Sequence, residues 1–504
     1  MTSEIDTQDL LYELMFRGEA EPFAVLHETH SGVVVLYGDR AYKTKRPVVT
    51  DFLDFGTPER RERAIARELE LNRRLAPDVY LGVGHFQPPG GGPAEPVLVM
   101  RRLPDQARLT RLLTDPMATD AALDGLVRLL AEFHDTAARS DRISGAATLA
   151  AVRARWRSVL HGLTRPPLAP DTVARAEELA DRFLDGRGPL FEQRIAEGRI
   201  VDGHGDLRAG DIFVVPDGFR VIDCLDFDDE LRHVDRIDDI AFLAMDLEFE
   251  GASWAATELA RDYRTHTADP APMSLWHFYI AYRAAVRAKV NCLRHAQGDP
   301  RAADHAVRHV EIALDHLQSA TIRIALVGGL PGTGKSTIAA ALAEATGATV
   351  LSTDRIRAEL RATGVITGAS GNFGEGAYTR SAVDRVYQEL LDRAREHLGQ
   401  GRSIVLDATW SGAYHREQAL RLAAETATEP IEIRCAAPTS VTSARITARS
   451  GGDSEATPAI ASALASVADP WPAASVLDTT HPVADNVARA VTRWQRAHQP
   501  GPVS

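Results

Sequence analysis

The sequence predicts two domains, an N-terminal domain of the α+β class and a C-terminal α/β domain built on a doubly wound parallel sheet. A chain of 504 residues is too long for one hydrophobic core, because single cores stop growing at about 250–300 residues. After residue 320, short apolar segments alternate with helical ones, which is typical of right-handed strand–helix–strand units in a parallel sheet. The predicted domains are residues 1–318 and 321–495.

The composition is that of a globular protein without a nucleic-acid or membrane partner. Hydrophobic residues make up 44% and charged residues 25% of the chain, and the net charge is −13. Non-specific binding to nucleic acid or to an anionic membrane favours a basic protein. No apolar segment approaches the roughly 18 residues of a membrane span, the acidic N-terminus lacks a signal-peptide core, and the three cysteines are widely spaced. We therefore expect a cytoplasmic protein; its oligomeric state is not indicated.

The N-terminal half begins with strands and continues mainly with helices. Residues 33–37 and 41–45 flank a Gly-Asp turn, which predicts a β-hairpin. A charged helix is predicted over residues 58–75. Helical patterns then occupy about 120–194 and continue to about residue 317, on either side of a short β region at 200–228.

Five apolar segments of the C-terminal half are predicted to form its parallel sheet. They are residues 322–327, 350–352, 403–406, 431–433 and 475–477. Helical stretches separate them, so each strand can return to the sheet by a right-handed crossover. Because ligands of such sheets bind beyond the carboxyl ends of the strands, the functional side chains are expected there.

The first of these strands leads into a glycine-rich sequence that matches the phosphate-binding pattern G-x-x-x-x-G-K-S/T, the P-loop. The match is Gly329-Leu-Pro331-Gly332-Thr333-Gly334-Lys335-Ser336, with Thr337 following in a helix. Backbone N–H groups of such a loop and the positive end of the helix dipole bind the phosphates of ATP or GTP. Lys335 is predicted to reach the β- and γ-phosphates and Ser336 to bind Mg²⁺.

Two carboxylates and two arginines of the C-terminal half each have a functional and a structural interpretation. Asp354 could accept the proton of a substrate hydroxyl, with a neighbouring arginine binding an anion on that substrate, or it could cap the following helix. Asp407 could hold the Mg²⁺ shell or lie in an ordinary turn. Arg445 and Arg449 share a helical face and could clamp phosphate from a mobile lid, or form a solvated basic face.

This half, over about residues 321–493, resembles the small P-loop kinases of the gluconate, shikimate and zeta-toxin type. The resemblance rests on the P-loop, on Ser352-Thr-Asp354-Arg-Ile-Arg and on the late Arg-x-x-x-Arg pair. It implies transfer of a phosphoryl group from ATP to a small hydroxylated acceptor. It also implies that Asp354 lies at the acceptor and that Arg445 and Arg449 belong to the lid.

A second motif, His204-Gly-Asp206-Leu-Arg-Ala-Gly-Asp211, lies in the N-terminal half. A kinase catalytic loop needs an aspartate that orients and deprotonates the attacking hydroxyl, and a metal ligand five residues later. Asp206 and Asp211 have this spacing, and Asp223 ends a later strand where a further metal ligand is required. The carboxylates at 226–230 are expected to form a solvated turn. The alternative is an Asp- and Gly-rich surface hairpin.

Lysine is rare in this chain and therefore informative. Its four lysines are Lys43, Lys45, Lys289 and Lys335, so nearly all positive charge is arginine. A lysine that remains in such a chain is expected where a compact ammonium group is needed. Lys43 and Lys45 lie two residues apart in the predicted hairpin and project to the same face, so periodicity does not choose between them.

The N-terminal half, over most of residues 20–300, resembles the aminoglycoside-phosphotransferase branch of the two-lobed protein-kinase-like fold. The resemblance rests on His-Gly-Asp206-Leu-x-x-x-Asp211, on the later Ile-Asp223 and on Ala-x-Lys43 with Glu68 upstream. It implies that Lys43 binds the phosphates of ATP and pairs with Glu68. It further implies that Asp206 is catalytic and that Asp211 and Asp223 bind Mg²⁺.

The chain departs from this family pattern at two places. Asp211 stands where the family usually has Asn, and residues 27–32 lack the glycine-rich sequence G-x-G-x-x-G. Asp is still a hard oxygen ligand, so metal binding is expected to survive the change. The resemblance also implies that Asp239 braces the catalytic loop by hydrogen bonds.

The motifs together predict an ATP-dependent phosphotransferase with two nucleotide sites that phosphorylates a hydroxyl of a small metabolite or antibiotic. One alternative is a regulatory protein kinase whose P-loop domain senses nucleotide. The other is a non-catalytic, nucleotide-gated pseudokinase module, which Asp211 and the missing glycines favour. No nucleic-acid or membrane partner is expected.

Overall fold

The structure of the protein, a computed structural model, describes residues 22–28, 32–49, 54–367, 376–448 and 457–496. The chain divides into two compact units. The first unit comprises Met1–Val173, Glu192–Ala271 and Tyr279–His316, and the second comprises Ala174–Phe191, Pro272–Phe278 and Leu317–Ser504.

The first unit opens with a five-stranded antiparallel sheet and one helix. The elements are β1 (Ala24–Glu28), β2 (Gly32–Tyr37), β3 (Arg40–Lys45), α1 (Pro58–Asn72), β4 (Tyr80–Phe86) and β5 (Glu95–Arg101), and the strand order is β1-β2-β3-β5-β4. The antiparallel pairing of β2 with β3 confirms the predicted hairpin. Thr57 is the N-cap of α1 and Pro58 is its first residue, and these are positions where threonine and proline are common. The helix ends at Asn72, three residues before its predicted end.

One face of this sheet packs on α1 and positions the two lysines of the hairpin. Ala41 of β3 belongs to a buried cluster with Ile65 of α1 and Leu98 of β5. Side chains two residues apart on a strand share a face. Lys43 and Lys45 therefore follow Ala41 on the side of the sheet that faces α1.

The chain between residues 105 and 319 is mainly helical. Its helices are α2 (Leu109–Leu112), α3 (Pro116–Thr136), α4 (Asp141–Gly145), α5 (Leu149–Gly162), α6 (Pro170–Gly186), α7 (Gly188–Ala196), α8 (Arg236–Phe249), α9 (Ser253–Thr267), α10 (Met273–Ala296) and α11 (Arg301–Ser319). Short antiparallel pairs join β6 (Ile200–Asp202) to β9 (His233–Asp235) and β7 (Ile212–Val215) to β8 (Gly218–Val221). Helices α6, α7, α10 and α11 contribute residues to both units.

The second unit is built on a five-stranded sheet in which every pairing is parallel. Its strands are β10 (Arg323–Gly328), β11 (Thr349–Ser352), β12 (Ile404–Asp407), β13 (Glu429–Ala436) and β14 (Ser475–Asp478), in the order β11-β12-β10-β13-β14. Its helices are α12 (Lys335–Thr346), α13 (Thr353–Ala362), α14 (Arg380–Gly399), α15 (Ala413–Glu425), α16 (Thr439–Thr447), α17 (Pro458–Val467) and α18 (Val483–Arg496). This architecture confirms the predicted doubly wound parallel sheet.

Both faces of this sheet carry buried apolar side chains. Leu326 and Leu406 belong to one buried cluster, and their chain neighbours Val327 and Val405 belong to another. All six residues of β10 are buried, which explains its apolar sequence from Ile324 to Val327. The segments 174–191 and 272–278 also belong to this unit, where the Phe183 and Phe278 rings stack with centroids 4.2 Å apart.

Among the described residues, none of the helices combines the length and the apolar character that a membrane crossing requires.

Candidate active sites

The P-loop adopts the backbone that its glycines permit. Between β10 and α12, φ is +80° at Gly332 and +81° at Gly334, values that side-chain-bearing residues rarely adopt. Gly334 is the N-cap of α12, so the loop leads directly into the positive end of that helix. The loop therefore has the predicted strand–turn–helix backbone, and its binding of phosphate remains a prediction.

Gly332 also lacks room for a side chain, which gives a direct test of the loop. A Cβ at this position would lie 2.6 Å from the carbonyl oxygen of Thr442. The variant Gly332→Ala is expected to lose about 1–3 kcal/mol of stability in the second unit, because a strained backbone position costs this much. It should also bind nucleotide more weakly, as calorimetric titration with ATP can measure.

Gly347→Ala is the matched control for this substitution. Gly347 has a φ of +68°, but nothing lies within 4 Å of an added Cβ. The control should lose about 1 kcal/mol in urea unfolding and keep its nucleotide affinity. Equal nucleotide affinities in the two variants would contradict the assignment of the loop.

Lys335, Ser336 and Asp407 meet where β10 and β12 end. Val327 of β10 is in register with Asp407 of β12, and both Lys335 and Asp407 are buried. Burial raises the pKa of Asp407, while the charge of Lys335 and the hydroxyl of Ser336 lower it. The strand ends thus bring Asp407 next to two residues that precede it by 72 and 71 positions in the sequence, Lys335 and Ser336.

The donor set at Asp407 suits Mg²⁺. Its Oδ1 atom is buried and accepts no hydrogen bond from the described residues, and a hydroxyl oxygen of Ser336 lies beside the carboxylate. A carboxylate and a hydroxyl, completed by water and phosphate oxygens, are the ligands that Mg²⁺ takes at nucleotide sites. The structure therefore fits the predicted roles of Ser336 and Asp407, which remain predictions.

Asp354 lies in the first turn of α13, directly beyond β11. The N-cap of this helix is Ser352, so the carboxylate is not the helix cap. Its Oδ1 atom pairs at 2.7 Å with Nη1 of Arg357, whose guanidinium lies 4.7 Å from the ring centroid of Tyr378. Asp354 is close enough to Asp407 to raise its pKa. A paired carboxylate and arginine therefore lie near Asp407 at the carboxyl ends of β11 and β12, and the role of Asp354 at an acceptor remains a prediction.

Arg445 lies against the P-loop. Its guanidinium donates to the carbonyl oxygen of Thr479 at 2.7 Å and to the Thr479 hydroxyl at 3.2 Å. That hydroxyl in turn donates to the carbonyl of Thr333 at 2.7 Å. Arg445 is therefore more than a solvated basic residue, although its contact with phosphate remains a prediction. Arg449 lies outside the described residues.

In the first unit, the carboxylate of Asp239 holds the loop that begins at His204. The backbone N–H groups of His204 and Gly205 donate to its two oxygens at 2.7 and 2.8 Å. His134 lies 3.1 Å from one of these oxygens. Burial opposes the charged form, but the hydrogen bonds and the charge of His134 lower the pKa of Asp239. The predicted bracing role of Asp239 is confirmed.

The three aspartates predicted for catalysis and metal binding surround the side chain of Arg208. Its guanidinium nitrogens lie 3.4 Å from Asp206, 2.6 Å from Asp211 and 4.0 Å from Asp223. Burial raises the pKa of Asp211 to about 6, although the charge of Arg208 opposes the rise. The fold thus brings together the three carboxylates that the motif predicted. They lie around Arg208, a residue that the sequence analysis did not single out.

These carboxylates do not fit a metal ion in their present arrangement. Within the described parts of the chain, no group of three or more His, Cys, Asp or Glu side chains could hold one. Asp211 bonds to Arg208, and Asp223 bonds to Lys43 at 3.1 Å. The charge of Lys43 lowers the pKa of Asp223 to about 2. Metal binding by Asp211 and Asp223 therefore remains a prediction.

Glu68 joins both lysines of the hairpin. Its two carboxylate oxygens lie 2.6 Å from Nζ of Lys43 and 2.7 Å from Nζ of Lys45. Lys45 also bonds to Asp226 at 2.7 Å. The predicted Lys43–Glu68 pair is confirmed, and Lys45 is part of the same network. The interpretation of Asp226 as part of a solvated turn is wrong, because its side chain is only 16% exposed and meets Lys45.

Removing the charge of Glu68 is expected to destabilise the first unit. Glu68→Gln leaves two largely buried ammonium groups without their shared partner, and breaking a buried ion pair in this way costs about 3–5 kcal/mol. The free energy of urea unfolding measures the loss. Glu70→Gln on the same helix is the control, since Glu70 is 70% exposed, and a surface change should stay within about 0.5 kcal/mol. Similar losses in both variants would show that the network contributes little.

Comparison with known families assigns each half of the chain. Residues 37–276 match the phosphotransferase enzyme family, and residues 324–470 match a family described as an AAA domain. Uncharacterized proteins of Mycobacterium bovis and Mycobacterium tuberculosis are each 50% identical to this chain over 480 residues. The match covers 95% of this chain and 96% of each relative.

Solved structures of kinases are similar to parts of the chain. The alignment with a choline/ethanolamine kinase family protein from Mesorhizobium loti covers 62% of this chain and 98% of that protein, with 16% identity and a TM-score of 0.37. A sugar kinase from Janibacter sp. covers 34% of this chain and 94% of its own, with 22% identity and a TM-score of 0.27.

Proposed function

Because this chain belongs to the same family as the two mycobacterial proteins and joins a phosphotransferase-family domain to a P-loop domain, we propose that it is an ATP-dependent phosphotransferase with two nucleotide sites. It transfers the γ-phosphate of ATP to a hydroxyl group of a small metabolite or antibiotic. The observation that carries this proposal is that Lys335, Ser336 and Asp407 lie together where β10 and β12 end, beside the P-loop.

In the second unit, the loop and the start of α12 bind the phosphates of ATP through backbone N–H groups. Lys335 neutralises the charge that develops on the β- and γ-phosphates. Ser336 and Asp407 would hold Mg²⁺, which when bound neutralises phosphate oxygens. Asp354 accepts the proton of the acceptor hydroxyl, and Arg357 holds that carboxylate in place.

In the first unit, Glu68 holds Lys43 in position for the phosphates of ATP. Asp206 accepts the proton of a second acceptor hydroxyl from a loop that Asp239 keeps rigid. No step of this unit is assigned to a metal ion, since the carboxylates are arranged around Arg208. In both units the acceptor oxygen forms a bond to the γ-phosphorus of ATP, the bond from that phosphorus to the bridging oxygen of the β-phosphate breaks, ADP leaves, and the aspartate takes the hydroxyl proton.

The direct test is a panel assay of the whole protein with γ-labelled ATP. Small hydroxylated metabolites and aminoglycosides are supplied one at a time, and the label is separated into small-molecule and protein fractions. Label in a small-molecule product supports the proposal. A parallel sample receives a cell extract in place of the small molecules, and label that enters only its protein bands would favour the regulatory protein kinase. Binding of ATP without transfer to either fraction would favour the pseudokinase.

One arrangement specifically favours the pseudokinase alternative for the first unit. Arg208 engages the carboxylates that a kinase uses for catalysis and metal binding. If this arrangement persists with nucleotide bound, Asp206→Asn changes no transfer activity, and all transfer depends on Lys335.

A further inference from the structure

The side chain of Arg208 has the position that a bound cation would take in the first unit. It follows the catalytic-loop residue Asp206 by two positions and projects into the space between three carboxylates. Its shortest contact, 2.6 Å from Nη2 to Oδ2 of Asp211, is a charge-assisted hydrogen bond. Asp223 presents Oδ2 to Arg208, while its Oδ1 is bonded to Lys43.

The backbone around this arginine is fixed on both sides. The N–H of Ala209 donates to Asp246 at 2.9 Å, and the N–H of Ile222 donates to the carbonyl of Asp211 at 3.0 Å. Asp239 holds the preceding turn. These bonds tie the loop to the rest of the unit on both sides of Arg208, so the place where the carboxylates converge is fixed.

The charges around the guanidinium explain why it stays there. Burial opposes the charged form of Arg208, but Asp206, Asp211 and Asp223 outweigh this and raise its pKa. The guanidinium remains protonated at all physiological pH values; it donates a hydrogen bond to Asp211 and forms ion pairs with Asp206 and Asp223. A divalent ion entering the cluster must therefore displace a permanently charged group.

We infer that Arg208 is a positioning residue that serves as the built-in cation of the Asp206–Asp211–Asp223 cluster and competes with divalent metal for it. Metal enters the first unit only when the guanidinium is withdrawn or removed. The inference concerns a site of the proposed function. It is tested through metal binding without nucleotide. The inference can therefore fail while the protein still transfers phosphoryl groups, and it can hold if the protein transfers none.

The test measures Mn²⁺ binding by electron paramagnetic resonance, with the whole chain and no nucleotide. Asp407→Asn is present in every sample to remove the candidate metal ligand of the second unit. In this background, Arg208→Gln should bind Mn²⁺ at least about tenfold more tightly than the protein with Arg208, because one cation has left a largely buried acidic cluster. Adding Asp211→Asn to Arg208→Gln should reverse the gain.

Three further variants keep the test decisive. Arg208→Lys retains the charge and should stay within about threefold of the parent affinity. Arg142→Gln, an exposed arginine of the same unit, should have no effect. Asp211→Asn alone should leave Mn²⁺ binding unchanged, because Arg208 already keeps metal out of the cluster. This variant tests the inference even if Arg208→Gln does not fold. An unchanged affinity in a folded Arg208→Gln protein, or a loss of binding in Asp211→Asn alone, would overturn the inference.

Discussion

Replacing Lys335 by alanine is expected to lower the kcat/KM of the second unit for ATP by at least about 10²–10³-fold, the cost of removing one preorganised group from the transition state. Lys335 is buried at the start of α12, beside Asp407. The three other lysines of the chain all belong to the first unit. The measurement is steady-state phosphorylation of an acceptor from the panel, with ATP varied.

Lys289→Ala is the matched control for this prediction. Lys289 lies in α10, outside both candidate sites, and bonds to the carbonyl of Ser158 at 3.2 Å. Its replacement should leave kcat/KM within about twofold, as is usual for a residue that does not contact the reacting groups. If Lys335→Ala and Lys289→Ala behave alike, the P-loop does not support catalysis.

Replacing Asp206 by asparagine is expected to lower transfer by the first unit by about 10²–10⁴-fold, the range that a general base contributes. Asparagine keeps the shape of the side chain but cannot accept the hydroxyl proton. The carboxylate is 28% exposed and therefore open to an acceptor. The rate of labelled product formation should fall, while transfer that depends on Lys335 should persist.

Asp217→Asn serves as the control, since this side chain lies in the turn between β7 and β8, is 71% exposed and pairs with Arg220. A normal rate in Asp206→Asn, measured on an acceptor whose phosphorylation survives Lys335→Ala, would remove the catalytic role of Asp206. That result would make the first unit a binding module.

The parts of the sites that lie close together in the sequence could be predicted well. The P-loop is an uninterrupted stretch whose glycines and lysine have fixed roles, so strand, turn and helix followed from one motif. The apolar strands of the parallel sheet were equally clear, because β10 and β12 are buried along their whole length. Asp206, Asp211 and Asp223 were found by their spacing.

The missed contacts depend on segments that meet only in the folded chain. Lys45 and Asp226 are 181 residues apart, and no local pattern reveals their pairing. Arg357 could have been singled out, since it lies three positions after Asp354 and such residues share a helical face. The central position of Arg208 could not, because strand, turn and helix signals do not say where a long side chain ends.

The central claim is that the chain holds two nucleotide sites, and one of them depends on Lys335. Calorimetric titration of the whole protein with a non-hydrolysable ATP analogue and Mg²⁺ tests this most directly. Two molecules are expected to bind per chain, and one per chain in Lys335→Ala. Binding of no nucleotide, or an unchanged stoichiometry and affinity in Lys335→Ala, would contradict it.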